Sequence, residues 1–178
     1  MSRRLPLELV VQSLDLSVDR KRALGEIPES AWTRLLRLTD EARLTLPLAI
    51  RCADFLPAET AARVRSNLRS NYVRRERVIA DWREIAGSLG ENGIEFIVLK
   101  GLSHWPFYAE DPAHRPQYDF DVYCPPDSIH QAQAAIIALG YEPLRDQDGL
   151  KTDHLPALIR RTGFKWRGDY FDPALPLS

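Results

Sequence analysis

Apolar residues recur at helical spacing along the first part of the chain. The first set lies at positions i, i+3, i+4 and i+7 and consists of Leu7, Val10, Val11 and Leu14. Proline is tolerated in the first turn of a helix, so Pro28 and Pro47 predict the starts of two further helices. A fourth and longer helix is predicted from Pro57 to about Leu89, where Gly90 ends the pattern. Residues 1–90 are therefore predicted to form a helical domain.

The predicted long helix has one apolar face and one charged face. The apolar positions, which recur close to the helical period, are Val64, Leu68, Tyr72, Ile79, Trp82, Ile85, Ala86 and Leu89. The charged positions include the run Arg74, Arg75, Glu76 and Arg77. A run of mixed charge is typical of a solvated helix face, and an RNA-binding patch is the less favoured alternative.

The hydrophobic pattern changes after Gly93. Two short apolar stretches, Glu95–Leu99 and Asp119–Cys124, predict strands, and between them Leu102–Tyr108 predicts a short helix after a turn at Gly101. Downstream, the pattern predicts a helix over Ser128–Leu139, a strand that begins near Tyr141, and one or two strands or a hairpin within Leu155–Trp166. Helices followed by alternating short strands and helices indicate an α+β fold, with residues 91–178 as a small α+β core that contains a short mixed sheet.

Composition narrows the functional classes. The chain has 24 basic and 25 acidic residues, which argues against a dedicated nucleic-acid binder, so nucleic acid is an open but less favoured partner. Cys52 and Cys124 show no CxxC spacing, so a zinc site or a disulfide framework is not expected. Apolar runs are too short for a membrane span or a signal peptide. We therefore expect a cytoplasmic protein with no membrane partner.

The pair Asp119 and Asp121 is the strongest candidate for chemistry. Side chains two residues apart on a strand point to the same face, while Phe120 and Val122 would point into the core. Neighbouring carboxylates repel each other unless a cation lies between them, and Mg²⁺ prefers such oxygen ligands. A glycine turn before a helix, as predicted at Gly101, lets backbone N–H groups approach a phosphate. The sequence thus predicts a metal and phosphate site.

Several short motifs occur together in this region. They are Leu99-Lys100-Gly101, Tyr108, Arg115, Asp119-Phe120-Asp121 and Gly140-Tyr141. As a set, and over roughly residues 90 to 145, they resemble the nucleotidyltransferase superfamily with the polymerase-beta-like core. The resemblance is closer to the branch of uncharacterised bacterial nucleotidyltransferases.

The resemblance implies an Mg²⁺-dependent enzyme that moves a nucleoside monophosphate from an NTP to the hydroxyl of an unidentified acceptor. Asp119 and Asp121 would be the catalytic residues and would hold two Mg²⁺ ions. Nucleotide phosphates would be bound by Lys100, Gly101, Ser103 and Arg115. For Arg115, an ion pair that holds one aspartate of the motif is an equally weighted alternative.

The chain departs from the superfamily pattern at two points. Leu102 stands where most members have the serine of a Gly-Ser pair, with Ser103 one residue later. The third carboxylate, part of a Glu-x-His segment in the closer branch, is not found before Ser178, and Asp169 and Asp172 lie in sequence contexts typical of turns. The chain is thus expected to be either a fragment or a short member. The alternative function is a degenerate module that binds nucleotide or a protein partner without turnover.

Overall fold

The computed structural model describes residues 6–14, 21–104, 111–144 and 154–177, which form five α-helices and two small sheets. The helices are α1 (Pro6–Ser13), α2 (Glu29–Glu41), α3 (Thr45–Cys52), α4 (Ala58–Glu91) and α5 (Ile129–Ala138). The strands are β1 (Ile97–Leu99), β2 (Asp121–Tyr123), β3 (Tyr141–Pro143) and β4 (Leu158–Arg160). Helices and small sheets in one chain agree with the predicted α+β class, but the prediction of a short mixed sheet is wrong, because the described strands form two separate antiparallel pairs. None of the described helices combines the length and the apolar character that crossing a bilayer requires.

The chain packs as two compact units. One contains the residues up to Tyr72 together with Ala113–Pro116, and the other contains Val73–Pro112 together with Gln117–Ser178. The division falls within α4, so this helix contributes its first half to one unit and its second half to the other. The predicted domains, 1–90 and 91–178, concern independent folding and stay a prediction.

The first unit is helical and has its own apolar core. Helix α2 contributes Trp32, Leu35 and Leu36, which lie on one face as their spacing predicts. Helix α3 begins at Thr45, so Pro47 lies in its first turn, where a missing N–H costs no hydrogen bond. The thiol of Cys52 is also buried in this core, and burial raises its pKa.

The second unit is built around the second half of α4. Trp82 of this helix packs on Phe96 and Phe120, with ring centroids 5.9 and 5.4 Å apart. Strands β1 and β2 pair antiparallel, with Leu99 opposite Asp121, and β3 and β4 form a second antiparallel pair. The core of this unit contains Ile85, Leu89, Ile94, Cys124, Ala132, Ala135 and Tyr141. It is therefore assembled from both sheets and two helices.

An arginine fastens the second sheet to α4. The guanidinium of Arg160 in β4 lies 4.6 Å above the Tyr141 ring and 3.6 Å from a carboxylate oxygen of Asp81, and it also pairs with Glu84. Ion pairing to Glu84 raises the pKa of Arg160, while burial raises the pKa of Tyr141. This partly buried network supplies the polar part of the packing between β4 and α4.

Both strands of the first sheet are shorter than predicted. Strand β1 begins at Ile97 and not at Glu95, and it ends at Leu99, because Lys100 and Gly101 adopt positive φ angles of 51° and 31°. This left-handed backbone turns the chain away from the strand direction. Strand β2 begins at Asp121, so Asp119 lies before the paired region.

One other predicted element differs in kind from the structure, and another is observed as one of the predicted alternatives. The predicted helix Leu102–Tyr108 is observed as a 3₁₀ turn, Gly101–His104, and its remaining residues lie outside the described ranges. In the region predicted to hold one or two strands or a hairpin, the described residues form the single strand β4, and Gly163 is not in a hairpin. Pairing in that sheet ends at Arg160, the partner of Tyr141.

The prediction of a solvated charged face on α4 is wrong at Arg74. Asn71, Arg74, Val78 and Ile85 are all buried and lie along one helical stripe, so Arg74 occupies a core position. The residue is 1% exposed, and within the described part of the chain none of its three guanidinium nitrogens has a hydrogen-bond partner. The group lies 4.6 Å above the Tyr118 ring, and burial lowers its pKa to about 10.

We predict that Arg74→Met stabilises the protein. Among the described residues the guanidinium has no hydrogen-bond acceptor, and the Tyr118 ring and the negative charge of Asp172 offset part of its lost hydration. Methionine fills a similar space without a charge, so the free energy of unfolding should rise by about 1 to 3 kcal/mol. Urea unfolding measures the change, with the exposed Arg83→Met on the same helix as the control. A loss of stability in Arg74→Met alone would contradict the prediction.

Candidate functional site

Asp121 lies on the outer face of the first sheet. Phe120 and Val122 pack on the core of the second unit, so the alternation of a strand directs Asp121 and Tyr123 away from it. The opposite strand contributes the exposed side chains of Ile97 and Leu99 to the same outer face. Asp121 therefore sits among apolar neighbours on an accessible surface.

Asp119 is placed less firmly by the sheet. It is exposed and precedes β2 by two residues, so no ladder hydrogen bonds fix its backbone. Phe120, the next residue, packs against Trp82 and keeps the direction of the strand. The placement of Asp119 and Asp121 on one face therefore stays a prediction, because β2 includes Asp121 but not Asp119.

The turn after β1 brings Lys100 to Asp121. The Lys100 Nζ lies 3.2 Å from Asp121 Oδ2, and the side chains are 70% and 35% exposed. An ion pair with this exposure contributes about 0 to 1 kcal/mol, because water screens it and the lysine side chain loses conformational freedom. Two of the predicted site residues are therefore in contact through an interaction weak enough to be exchanged.

Ser103 is engaged with the turn itself. Its hydroxyl donates to the Lys100 carbonyl oxygen at 2.7 Å, and its backbone N–H donates to the same oxygen at 2.8 Å. The side chain is exposed, so its oxygen can still accept a hydrogen bond. In this position Ser103 stabilises the Lys100–Gly101 turn, and its predicted phosphate contact stays a prediction.

Arg115 belongs to a different compact unit from Asp119 and Asp121. It is exposed, follows the 3₁₀ turn Pro112–His114, and belongs to the first compact unit. The Asn71 side chain donates to the Ala113 carbonyl oxygen and holds this loop within that unit. The predicted role of Arg115 in binding phosphate stays a prediction.

Gln117, which is not among the predicted site residues, lies between Arg115 and Asp119 in the sequence. The Gln117 side chain donates to the backbone carbonyl of Asp119, and its carboxamide occupies the space beside Gly101 that a Cβ there would fill. Gln117, Asp119 and Asp121 are spaced two residues apart, so a period of two extended back from the aspartates was the signal available in the sequence.

The described donor groups suit a divalent cation that keeps several non-protein ligands. Asp119 and Asp121 provide hard oxygen ligands on an accessible face, and Mg²⁺ is commonly bound by one or two carboxylates, with water and phosphate oxygens completing its shell. Across the described ranges, no group of three His, Cys, Asp or Glu residues is arranged to hold a metal ion. The two carboxylates thus fit a metal ion that keeps water or phosphate oxygens as its remaining ligands.

The two aspartates near the end of the described chain have local partners. Asp169 Oδ1 accepts a hydrogen bond from the Phe171 N–H, and Asp172 Oδ1 accepts one from the Ala174 N–H, each at 2.8 Å. Both are side-chain turns of the kind that aspartate forms with the backbone two residues ahead. The expectation that they are turn residues is confirmed.

Comparison with known proteins agrees with the resemblance carried by the motifs. A family model described as an uncharacterised nucleotidyltransferase matches residues 28–165, which is more than half of the chain. The match extends from α2 to beyond β4 and includes Asp119 and Asp121. No curated protein and no solved structure gives a significant match.

We predict that Gly101→Ala destabilises the protein. The added Cβ would overlap the Gln117 carboxamide, and the φ of 31° is unfavourable for an L side chain. The expected loss is about 1 to 3 kcal/mol in the free energy of unfolding.

Gly87→Ala in α4 is the matched control, because a Cβ at this glycine meets nothing within 4 Å. It should leave stability unchanged or raise it by up to about 1 kcal/mol, because alanine favours helix more than glycine. Equal effects of the two substitutions in urea unfolding would refute the assignment of a crowded turn at Gly101.

Proposed function

The chain belongs to the uncharacterised nucleotidyltransferase family, and we propose that it transfers a nucleoside monophosphate from an NTP to an acceptor hydroxyl in an Mg²⁺-dependent reaction. Nucleotidyl transfer is the general function that family membership supports. The observation that carries the finer proposal is the contact of Lys100 with Asp121 at the end of β1, beside a glycine turn and Asp119.

In the proposed reaction the acceptor oxygen bonds to the α-phosphorus of the NTP. The bond from that phosphorus to the bridging oxygen breaks, pyrophosphate leaves, and the acceptor hydroxyl loses its proton. Such phosphoryl chemistry depends on positioning and on neutralising negative charge. The residues of this site have groups suited to both tasks.

Lys100 would act as the exchangeable cation of the site. Its side chain is largely exposed, and its pair with Asp121 is weak, so the ammonium can move to a phosphate oxygen when the carboxylate gains another partner. Gly101, beside which the Gln117 carboxamide fills the space of a Cβ, would offer its backbone N–H to the phosphate, and Ser103 would add a hydroxyl. Arg115 is proposed as a second cation for the phosphates.

Asp119 and Asp121 would hold the metal ions, two in number by the resemblance to the polymerase-beta-like core. When bound, Mg²⁺ would screen the phosphate charge and polarise the transferred group. The protein side chains would contribute orientation, because Phe120 anchors the short segment that carries both carboxylates.

A module that binds nucleotide without turnover is the second candidate. Within the ranges that the structure describes, the predicted site has two carboxylates and no cluster of three ligand residues. A site of this kind can bind a metal with phosphate but has no further carboxylate to activate the acceptor hydroxyl. Binding and transfer therefore have to be measured separately.

We predict that NTP binding in the presence of Mg²⁺ depends on Asp121. The experiment measures binding of ATP, GTP, CTP and UTP by titration calorimetry with Mg²⁺ and with EDTA, and tests transfer from α-³²P-labelled nucleotides to candidate acceptors. Asp121→Asn should weaken Mg²⁺-dependent binding by about tenfold or more and abolish transfer, because the amide is a poor ligand for a hard cation.

Asp127→Asn is the control, since this aspartate is exposed in the 3₁₀ turn before α5. Transfer by the wild type that is lost in Asp121→Asn supports the enzyme. Mg²⁺-dependent binding without transfer to any acceptor supports the module. Equal binding by wild type and Asp121→Asn would reject the site.

A further inference from the structure

The pairing of β1 with β2 stops just before the residues that the site requires. The last paired residues are Leu99 and Asp121, and continuing the same register by two residues would place Gly101 opposite Asp119. The positive φ angles of Lys100 and Gly101 divert the backbone at this point. The main chain of Asp119 is therefore not held by the ladder that holds Asp121.

The Gln117 side chain lies at this interruption. Its carboxamide is packed against Gly101, where a Cβ would overlap it, and its Nε2 donates to the Asp119 carbonyl oxygen. It thus contacts both chain segments that the ladder no longer joins. A bond from a side chain takes the place of the missing backbone pair.

We propose that Gln117 is a positioning residue, which holds Asp119 at the separation from Asp121 that a shared cation requires. It acts through the backbone of Asp119 and does not touch the reacting atoms. The inference rests on the proposed function, because it assigns Gln117 to the same metal site. It also explains why residue 101 is a glycine, since a residue without a side chain leaves room for the Gln117 carboxamide.

Two carboxylates bind one cation well when their spacing is fixed before binding. A ligand residue on unpaired backbone has to be ordered at the moment of binding, and that ordering lowers the affinity. Groups that orient metal ligands typically change metal affinity by about 10- to 100-fold when they are removed. Loss of the Gln117 bond should therefore appear in the metal affinity more strongly than in the stability of the fold.

The test measures Mn²⁺ binding to the full chain by electron paramagnetic resonance of the free ion, a readout that needs neither the acceptor nor the nucleotide. Gln117→Met keeps the length and volume beside Gly101 but has no donor for the Asp119 carbonyl. It should raise the dissociation constant of Mn²⁺ by about tenfold. Gln133→Ala on α5 is the control and should bind as the wild type does.

A second measurement reads the contact without any ligand. The effect of Gly101→Ala on urea unfolding is compared in wild type and in Gln117→Ala, where the side chain that the new Cβ would meet is gone. The destabilisation should fall to about half in the second background, since residues in contact have non-additive effects. The strain from the positive φ angle at residue 101 is the same in both backgrounds, so it cancels when the two destabilisations are compared.

The outcomes separate this proposal from the proposed function. Weakened Mn²⁺ binding in Gln117→Met, with a coupled pair in the unfolding cycle, supports positioning. Wild-type affinity in Gln117→Met, when Asp121→Asn has lost Mn²⁺ binding, overturns positioning and leaves the metal site intact. Equal Mn²⁺ binding by wild type and Asp121→Asn rejects the metal site and the positioning role together, whatever the unfolding cycle shows.

Discussion

The packing of Phe120 and Val122 on the core of the second unit is the constraint on which the candidate site depends. Phe120 meets Trp82 of α4 at 5.4 Å between ring centroids, and Val122 lies on the same apolar cluster. Because side chains alternate along a strand, burying these two residues directs Asp121 to the outer face. A shift of register by one residue would bury the carboxylate and expose Phe120.

The same constraint leaves an apolar surface around the charged residues. Ile97 and Tyr123 face each other across the sheet and are both exposed, as is Leu99 opposite Asp121. Apolar side chains therefore border the Lys100–Asp121 ion pair, which itself stays accessible to water. The strand register therefore both exposes these apolar side chains and places the Asp121 carboxylate on the outer face.

The sequence predicted the kinds of elements better than their limits. The helical spacing of apolar residues in α2 and α4 extends over several positions, as does the alternation of side chains around Asp121. These predictions therefore do not depend on any single residue. The ends of β1 and β2 could not be predicted, because they depend on the positive φ angles at Lys100 and Gly101. Glycine, and more weakly asparagine or aspartate, signals such an angle in a sequence, whereas lysine does not.

The burial of Arg74 was beyond prediction for a different reason. Its position on the buried stripe of α4 follows from the helical period. A charged residue is nevertheless predicted to be exposed, and the contact with the Tyr118 ring is not visible in the sequence. The contact joins residues that are far apart in the sequence, as do those of Gln117 with Gly101 and of Lys100 with Asp121. The residue types were enough to predict members of the candidate site, but the contacts between them depend on the fold.

The interactions on the two faces of the first sheet differ in strength. The aromatic and aliphatic side chains below the sheet are partly buried and pack β2 on the core, whereas the Lys100–Asp121 pair above it is exposed and contributes little to stability. A rigid base with a weak ion pair on top can exchange the partner of Asp121 without disturbing the core. A strong buried pair would oppose that exchange, because separating it would leave an uncompensated charge. The low stability of the Lys100–Asp121 contact is therefore consistent with a site that changes its partners when phosphate binds.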